Sequence, residues 1–271
     1  MISRNQELKA IAINLRKSVL ESLTTAGSGH LGGSLGMADI FAVLYFSIMN
    51  HRPAEPSWPD RDRLILSNGH IAPILYASLA HSGYFAVEEL KTLRKLGSRL
   101  QGHPGRNHGL PGLELSAGSL GQGVGVSIGM ALAAKHLNKT CQIYCILGDG
   151  EMQEGSVWEA AMSAGHYKLN NLTWIIDRNR LQIDGDTEEV MSLEPLQSKL
   201  RSFNWEVQLM GGHDINDILF KLKGRSNSQK PVAFIAQTIM GKGVPEIENN
   251  PAWHGKVPTT SQLEGFLASL Y

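Results

Sequence analysis

The sequence predicts an α/β fold, a doubly wound and mostly parallel sheet with helices on both faces. Three observations predict it. The runs Ile143-Tyr144-Cys145-Ile146-Leu147 and Leu172-Thr173-Trp174-Ile175-Ile176 are short, continuously apolar and bounded by glycine or polar residues, as strands buried on both faces are. A helix-length segment, 154–166, separates them and supplies a crossover connection. Strand-like and helix-like segments alternate along the rest of the chain, with no internal repeat or low-complexity linker. At 271 residues the chain lies at the upper end for one domain, so a single domain over 1–271 is expected.

The elements follow in order. Leu8, Ile11, Ala12, Leu15, Val19 and Leu20 recur at helical spacing, and Gly27-Ser28-Gly29 breaks the helix and leaves His30 on a loop. A largely buried helix is expected over 37–49 and a surface loop over 53–59. Arg63-Leu64-Ile65-Leu66 reads as a short strand, with Ser67-Asn68-Gly69-His70 leaving its end. Helices are expected over 72–81 and 87–96, then a glycine- and proline-rich loop over 102–112 that carries His103. A helix of small residues spans 124–136, with Gly125, Gly129, Ala131, Ala133 and Ala134 permitting close approach. Strands at 205–209 and 232–236 flank a helix near 214–223.

Lys plus Arg number 25 and Asp plus Glu 25, so the chain has no electrostatic footprint for nucleic acid or an anionic membrane. An anionic ligand must therefore be held locally. Cys141 and Cys145, four apart on a predicted strand, are expected to pack on one side of it, with no redox or zinc role. Met1 to Glu7 shows no apolar signal region, and no run approaches the ~18 residues of a membrane helix, so a cytoplasmic protein is expected.

Chemistry concentrates at two strand ends. Asp149 follows the first apolar run within Gly148-Asp149-Gly150, and Asn179 follows the second within Asp177-Arg178-Asn179. If the strands are parallel neighbours, both side chains open into the crevice at the carboxyl edge of the sheet. A carboxylate oxygen and an amide oxygen are hard donors suited to an octahedral Mg²⁺ that also binds phosphate. Glycines on both sides of Asp149 let backbone approach a phosphate and leave amides free to donate. A simple β-turn aspartate is the alternative for Gly-Asp-Gly taken alone.

Gly-Asp-Gly after a strand, with an asparagine roughly thirty residues on after another, resembles the thiamine-diphosphate motif. Further matches narrow the resemblance to the transketolase family. Ser28-Gly29-His30-Leu31-Gly32-Gly33, Leu66-Ser67-Asn68-Gly69-His70, Gly102-His103-Pro104 and Gly118-Ser119-Leu120-Gly121-Gln122-Gly123 are similar to that family's motifs and follow its order. So are Gly148-Asp149-Gly150-Glu151-Met152-Gln153-Glu154-Gly155, the stretch from Asp177 to Gly185, and Trp253-His254-Gly255. The resemblance implies thiamine diphosphate with Mg²⁺, or Ca²⁺ or Mn²⁺ in its place, and a metal held by Asp149, Asn179 and the carbonyl of Leu181. It places Gly148, Gly150 and Ile183 among the cofactor contacts. Gly118-Ser119-Leu120 falls on the thiazole and aminopyrimidine side, although the family often has proline where Ser119 stands. Gly121-Gln122-Gly123-Val124-Gly125 is not a dinucleotide fingerprint, because no clear strand precedes it.

Each motif histidine, taken singly, reads as a surface or turn-bonded residue. The resemblance instead puts His70 and His254 on the diphosphate, and His30, His103 and His254 around the ketose hydroxyls and reacting carbonyl, where imidazole can exchange protons near neutral pH. His51, His81, His108, His136, His166 and His213 match no motif and are read as structural. Glu154 at a helix start reads as a capping or macrodipole residue. By resemblance it also joins an acidic network at a subunit interface.

The implied reaction is transfer of a two-carbon ketol unit from a ketose to an aldose, with the cofactor supplying carbanion chemistry. In the family, a glutamate on the aminopyrimidine ring and the groups that grip a sugar phosphate lie in two further domains. This sequence ends at Tyr271 without them, and is expected to be the N-terminal subunit of a naturally split transketolase. Its expected partner is a chain carrying the pyrimidine-binding and C-terminal domains, two copies of each. A specialised enzyme for a sulfonated or branched sugar belongs to the same reading. The alternatives are a subunit of a sibling thiamine enzyme, such as a deoxyxylulose-phosphate synthase or a dehydrogenase E1, and a non-catalytic partner that kept the fold.

Overall fold

The computed structural model describes residues 3–270, Ser226 by its backbone alone. Met1, Ile2 and Tyr271, the ends of the expected domain and of its signal-free N-terminus, lie outside the described residues. The central sheet has five parallel strands in the order β1-β2-β3-β7-β6. They are β1 (Arg63–Leu66), β2 (Ile143–Gly148), β3 (Leu172–Arg178), β6 (Glu206–Gly211) and β7 (Val232–Gln237). A separate antiparallel hairpin joins β4 (Leu181–Gln182) to β5 (Gly185–Asp186).

Helices cover both faces, and alternate residues of each strand feed two cores. On one face Leu64, Tyr144, Ile146, Ile175 and Phe234 pack under α1 (Arg4–Ala26), α3 (Ala38–Val43), α4 (Ala72–His81) and α9 (Ile215–Gly224). On the other, Ile65, Cys145, Leu147, Trp174, Ile176 and Ile235 pack under α5 (Gln122–His136), α6 (Gly155–His166) and α8 (Leu196–Ser202). Short helices α2 (Gly32–Gly36), α7 (Thr187–Val190) and α10 (Thr260–Ala268) complete the chain. No helix among the described residues is long and apolar enough to cross a membrane.

Local signals explain where elements start and stop. Ser3 and Gln6 form a capping box at the start of α1, and Gly27 ends it with φ +69°. The single helix expected over 37–49 is instead α3 followed by a π-turn, Leu44–Ile48, in which the Met49 amide donates to the Leu44 carbonyl. The helix expected over 87–96 is a 3₁₀ turn, Val87–Thr92. Arg94 adopts φ +59° and its amide donates to the Leu100 carbonyl, which turns the chain back before another helical turn forms. Cys141 precedes β2 and so does not share a strand with Cys145, but both are buried free thiols.

Helix α6 sits tightly on the chain leading into β6, and a Cβ at Gly165 would fall on the backbone carbonyl oxygen of Phe203. Because a carbonyl cannot yield as a side chain does, Gly165→Ala is expected to destabilise the fold by about 1–3 kcal/mol. Urea unfolding of the two proteins checks this; coincident midpoints would contradict such close packing.

Candidate functional site

Parallel pairing of β2 with β3 sets Gly148 opposite Asp177, so the next residues of both strands leave the sheet side by side. The Asp149 amide donates to the Asp177 carbonyl at 3.1 Å and continues the ladder one step past β2. Asp149 and Asn179 thus share one crevice at the carboxyl edge, a cavity of about 380 Å³. Lining it are His30, His70, Gly118, Leu120, Gly148, Asp149, Gly150, Glu154, Asn179, Leu181, Ile183 and His254. His103 is not on that wall but stands beside it, its ring 5.8 Å from that of His30. Ser119 is exposed and off the wall, so its side chain is not brought to the cavity.

The Asp149 carboxylate is 1% exposed. Its Oδ2 accepts from Arg178 Nη1 at 3.1 Å and from the Arg180 amide at 2.7 Å, and its Oδ1 accepts from the Gly150 amide at 2.8 Å. Burial nevertheless pushes its carboxyl up to about 6, with those donors opposing the shift. The expectation of free amides in this turn is not met: the Gly148 amide donates to Glu151, and that of Gly150 to Asp149. Asn179 donates from Nδ2 to Asp177 and accepts the Leu181 amide at Oδ1. Asp177 is 2% exposed, and burial pushes its carboxyl up to about 7 against a hydrogen bond from Thr238.

Nothing in the sequence singles out Glu151, yet it organises the cavity. It is 2% exposed and accepts from Ser67 Oγ, from the Gly121 amide at 2.8 Å and from the Gly148 amide at 3.2 Å. One buried carboxylate thereby fixes three motif loops, which offsets its desolvation. Acidic residues are ordinary after a Gly-Asp-Gly turn, so the sequence carried no signal of this beyond its position. Glu154 takes the N-cap position of α6 without a side-chain capping bond and is exposed at the cavity.

The four motif histidines come from separate loops and converge. His30 lies 5.3 Å from His70, 5.6 Å from His254 and 5.8 Å from His103 between ring centres, and His70 lies 5.0 Å from His254. Burial, then the neighbouring imidazoles, lowers His30 to about 4 and His70 to about 3. Burial also lowers His103 and His254. His30 Nδ1 and Asn68 Oδ1 are buried and have no partner among the described residues, and both residues line the cavity. Such orphans are uncommon unless a ligand or water completes them.

The remaining histidines divide as structural residues do. His213 bridges Asp39 and the Ile239 amide, His81 meets Ser18, and His51 meets the Tyr45 carbonyl and Tyr84. His108, His136 and His166 are exposed.

None of the cavity-lining residues is Lys or Arg. An anion entering this cavity therefore needs a cation brought with it. No cluster of three or more His, Cys, Asp or Glu among the described residues could hold a metal, so a metal here would rest on mixed donors. Asp149 Oδ1 and Asn179 Oδ1 each accept one hydrogen bond and keep a lone pair, and both are hard oxygens. The residues present fit a divalent cation carrying a diphosphate. Because the folded site disfavours imidazolium, titration by NMR is expected to find His30 and His70 neutral at pH 6, protonating near pH 4 and 3. Titration of both near 6.5 would mean the cluster is open to water.

The family model described as the transketolase, thiamine diphosphate binding domain matches residues 7–264. A 6-deoxy-6-sulfo-D-fructose transketolase subunit of a Clostridium species is 42% identical, over all of this chain and 98% of that one. One of the two subunits of an apulose-4-phosphate transketolase, from Phocaeicola vulgatus, is 43% identical, over 92% of this chain and 88% of that one. The crystal structure of Campylobacter jejuni transketolase superposes with a TM-score of 0.92 at 36% identity, over 98% of this chain. Against that protein, and against human transketolase at 40% identity, this chain spans 42% of the length. The chain belongs to the transketolase family, as a thiamine diphosphate-binding domain.

Proposed function

We propose that this single-domain chain is the diphosphate-binding subunit of a two-chain transketolase, which transfers a two-carbon ketol unit from a ketose to an aldose. The observation that carries this reading is the convergence of Asp149, Asn179 and four histidines on one cavity without a lining Lys or Arg. In this reading Mg²⁺, or Ca²⁺ or Mn²⁺, is held by Asp149, Asn179 and the Leu181 carbonyl. His70 and His254 face the diphosphate with Gly148 and Gly150. Gly118, Ser119, Leu120 and Ile183 face the organic rings, Ser119 through its backbone.

Thiamine diphosphate, when bound, supplies the carbanion chemistry of ketol transfer. The chain's residues supply position and proton transfer. A neutral imidazole offers one N–H donor and one acceptor nitrogen, so His30, His103 and His254 can take a proton from a ketose hydroxyl and donate to a carbonyl oxygen. Their lowered basicity keeps all three in that bifunctional form at neutral pH. Imidazolium could only donate.

The partner in this reading is a chain with the pyrimidine-binding and C-terminal domains, two copies of each, in the cytoplasm. Glu154, exposed at the start of α6, faces that partner or the second copy. Two relatives that this chain matches nearly end to end are named as transketolase subunits, which supports a partner-dependent enzyme. The sugars in their names make 6-deoxy-6-sulfo-D-fructose and apulose 4-phosphate the donors to try beside ordinary ketose phosphates.

Affinity purification of the chain from its own cells, followed by a ketol-transfer assay with thiamine diphosphate and Mg²⁺, tests the reading. A second polypeptide should co-purify with activity. Asp149→Ala should lower that activity by more than the roughly 100-fold that outer-shell changes around a metal typically cost. Full turnover by the isolated chain would overturn the partner requirement, and an active complex indifferent to Asp149→Ala would overturn the assigned site. A complex that binds no cofactor would favour the non-catalytic reading.

A further inference from the structure

Arg178, the last residue of β3, has a side chain only 4% exposed and makes four hydrogen bonds. Nη1 donates to Asp149 Oδ2 at 3.1 Å and Thr187 Oγ1 at 2.6 Å; Nη2 donates to Glu188 Oε1 at 2.5 Å and Glu194 Oε1 at 3.1 Å. Three carboxylates therefore surround one buried guanidinium. With its charge more than balanced, Arg178 is not available as the cation for an incoming diphosphate, and it is absent from the cavity wall.

What it does is orient. Together with the Arg180 amide it fills the acceptor capacity of Asp149 Oδ2, while the Gly150 amide takes only one position on Oδ1. A carboxylate rotates about its last bond unless both oxygens are fixed, and a guanidinium fork anchored at three other points fixes one of them rigidly. The open lone pair of Oδ1 is then the acceptor that Asp149 can offer to a cation.

We propose that Arg178 is a positioning residue for the metal: it locks the Asp149 carboxylate so that Oδ1 faces the bound cation. This rests on the reading of Asp149 as a metal ligand. Thr187, Glu188 and Glu194 are, in turn, the anchors that hold the arginine still. Thr187 is fully buried, whereas the Glu194 side chain is 50% exposed, so the anchoring is firmest next to Asp149.

The test is Mn²⁺ titration in the presence of thiamine diphosphate, followed by electron paramagnetic resonance, on the full chain in the complex that co-purifies with it. Arg178→Met is expected to weaken Mn²⁺ binding by about 10–100-fold, the usual cost of losing an outer-shell partner of a metal ligand. Arg178→Lys keeps the charge but cannot span the fork, and should still lose at least about 10-fold. Should the methionine variant not fold, the lysine variant decides. For both, saturating metal should restore kcat, so that the defect appears in the KM for metal.

Glu188→Ala frees the 187–194 segment and leaves the Arg178–Asp149 contact intact. It should bind Mn²⁺ as the wild type does. Equal losses in Glu188→Ala and the arginine variants would show that Arg178 acts through that segment and overturn the proposal. Wild-type affinity in Arg178→Lys would overturn it as well. A wild-type complex that binds no Mn²⁺ would instead sink the metal reading of Asp149, and this role with it.

Discussion

Everything at the cavity depends on one stretch of backbone pairing, the parallel ladder between β2 and β3. Its register, Ile143 opposite Leu172 through Gly148 opposite Asp177, brings residues some thirty positions apart in sequence to neighbouring strand ends. A slip of one residue would reverse every side chain between the two faces of the sheet. Trp174 and Ile176 would then leave the core they share with Cys145 and Leu147, a cost of several buried side chains at about 1.5–3 kcal/mol each. Apolar packing on both faces therefore sets the register, and the register sets the distance between Asp149 and Asn179.

Ringing the cavity are three carboxylates that the fold has to bury: Asp149, Glu151 and Asp177. Burial raises the proton affinity of each, and each is answered by donors from the chain itself. Those donors are largely backbone amides of the motif loops, so the acids that line the site also tie its loops together. Polar groups left over, His30 Nδ1 and Asn68 Oδ1, belong to residues that face the cavity. The unsatisfied hydrogen-bonding capacity is thus concentrated where a ligand would complete it.

How much of this was legible in the sequence follows from how local each signal is. The five sheet strands were legible because apolar runs of strand length bounded by turn residues have few other uses. Arg63–Leu66 has the bounds expected, and the others differ by at most two residues at either end. Asp177 and Arg178 prolong β3 because β7 continues beside them to Gln237, a long-range pairing no local pattern reveals. The 87–96 segment has helical composition but is turned by a left-handed Arg94 bonded to Leu100, again a contact outside the window. Histidine convergence was legible only through motif resemblance, since 30, 70, 103 and 254 share no spacing. Glu151 and Arg178 stayed hidden for a further reason: their significance lies in which partners they bind once buried.

Charge gives the cavity its character. The carboxylates and neutral imidazoles around it leave a diphosphate no lysine or arginine on the wall to meet it, and the nearest buried guanidinium, on Arg178, is already shared among three acids. A site built on lysine or arginine would bind free phosphate esters and many other anions. One that lacks them accepts an anion only when a divalent cation arrives with it, since the ion supplies charge that the wall does not. Selectivity then rests on two oxygens from adjacent strand ends, whose spacing the sheet holds, rather than on flexible side chains. The same choice keeps the histidines neutral and able both to donate and to accept, because no fixed anion faces them closely enough to stabilise imidazolium.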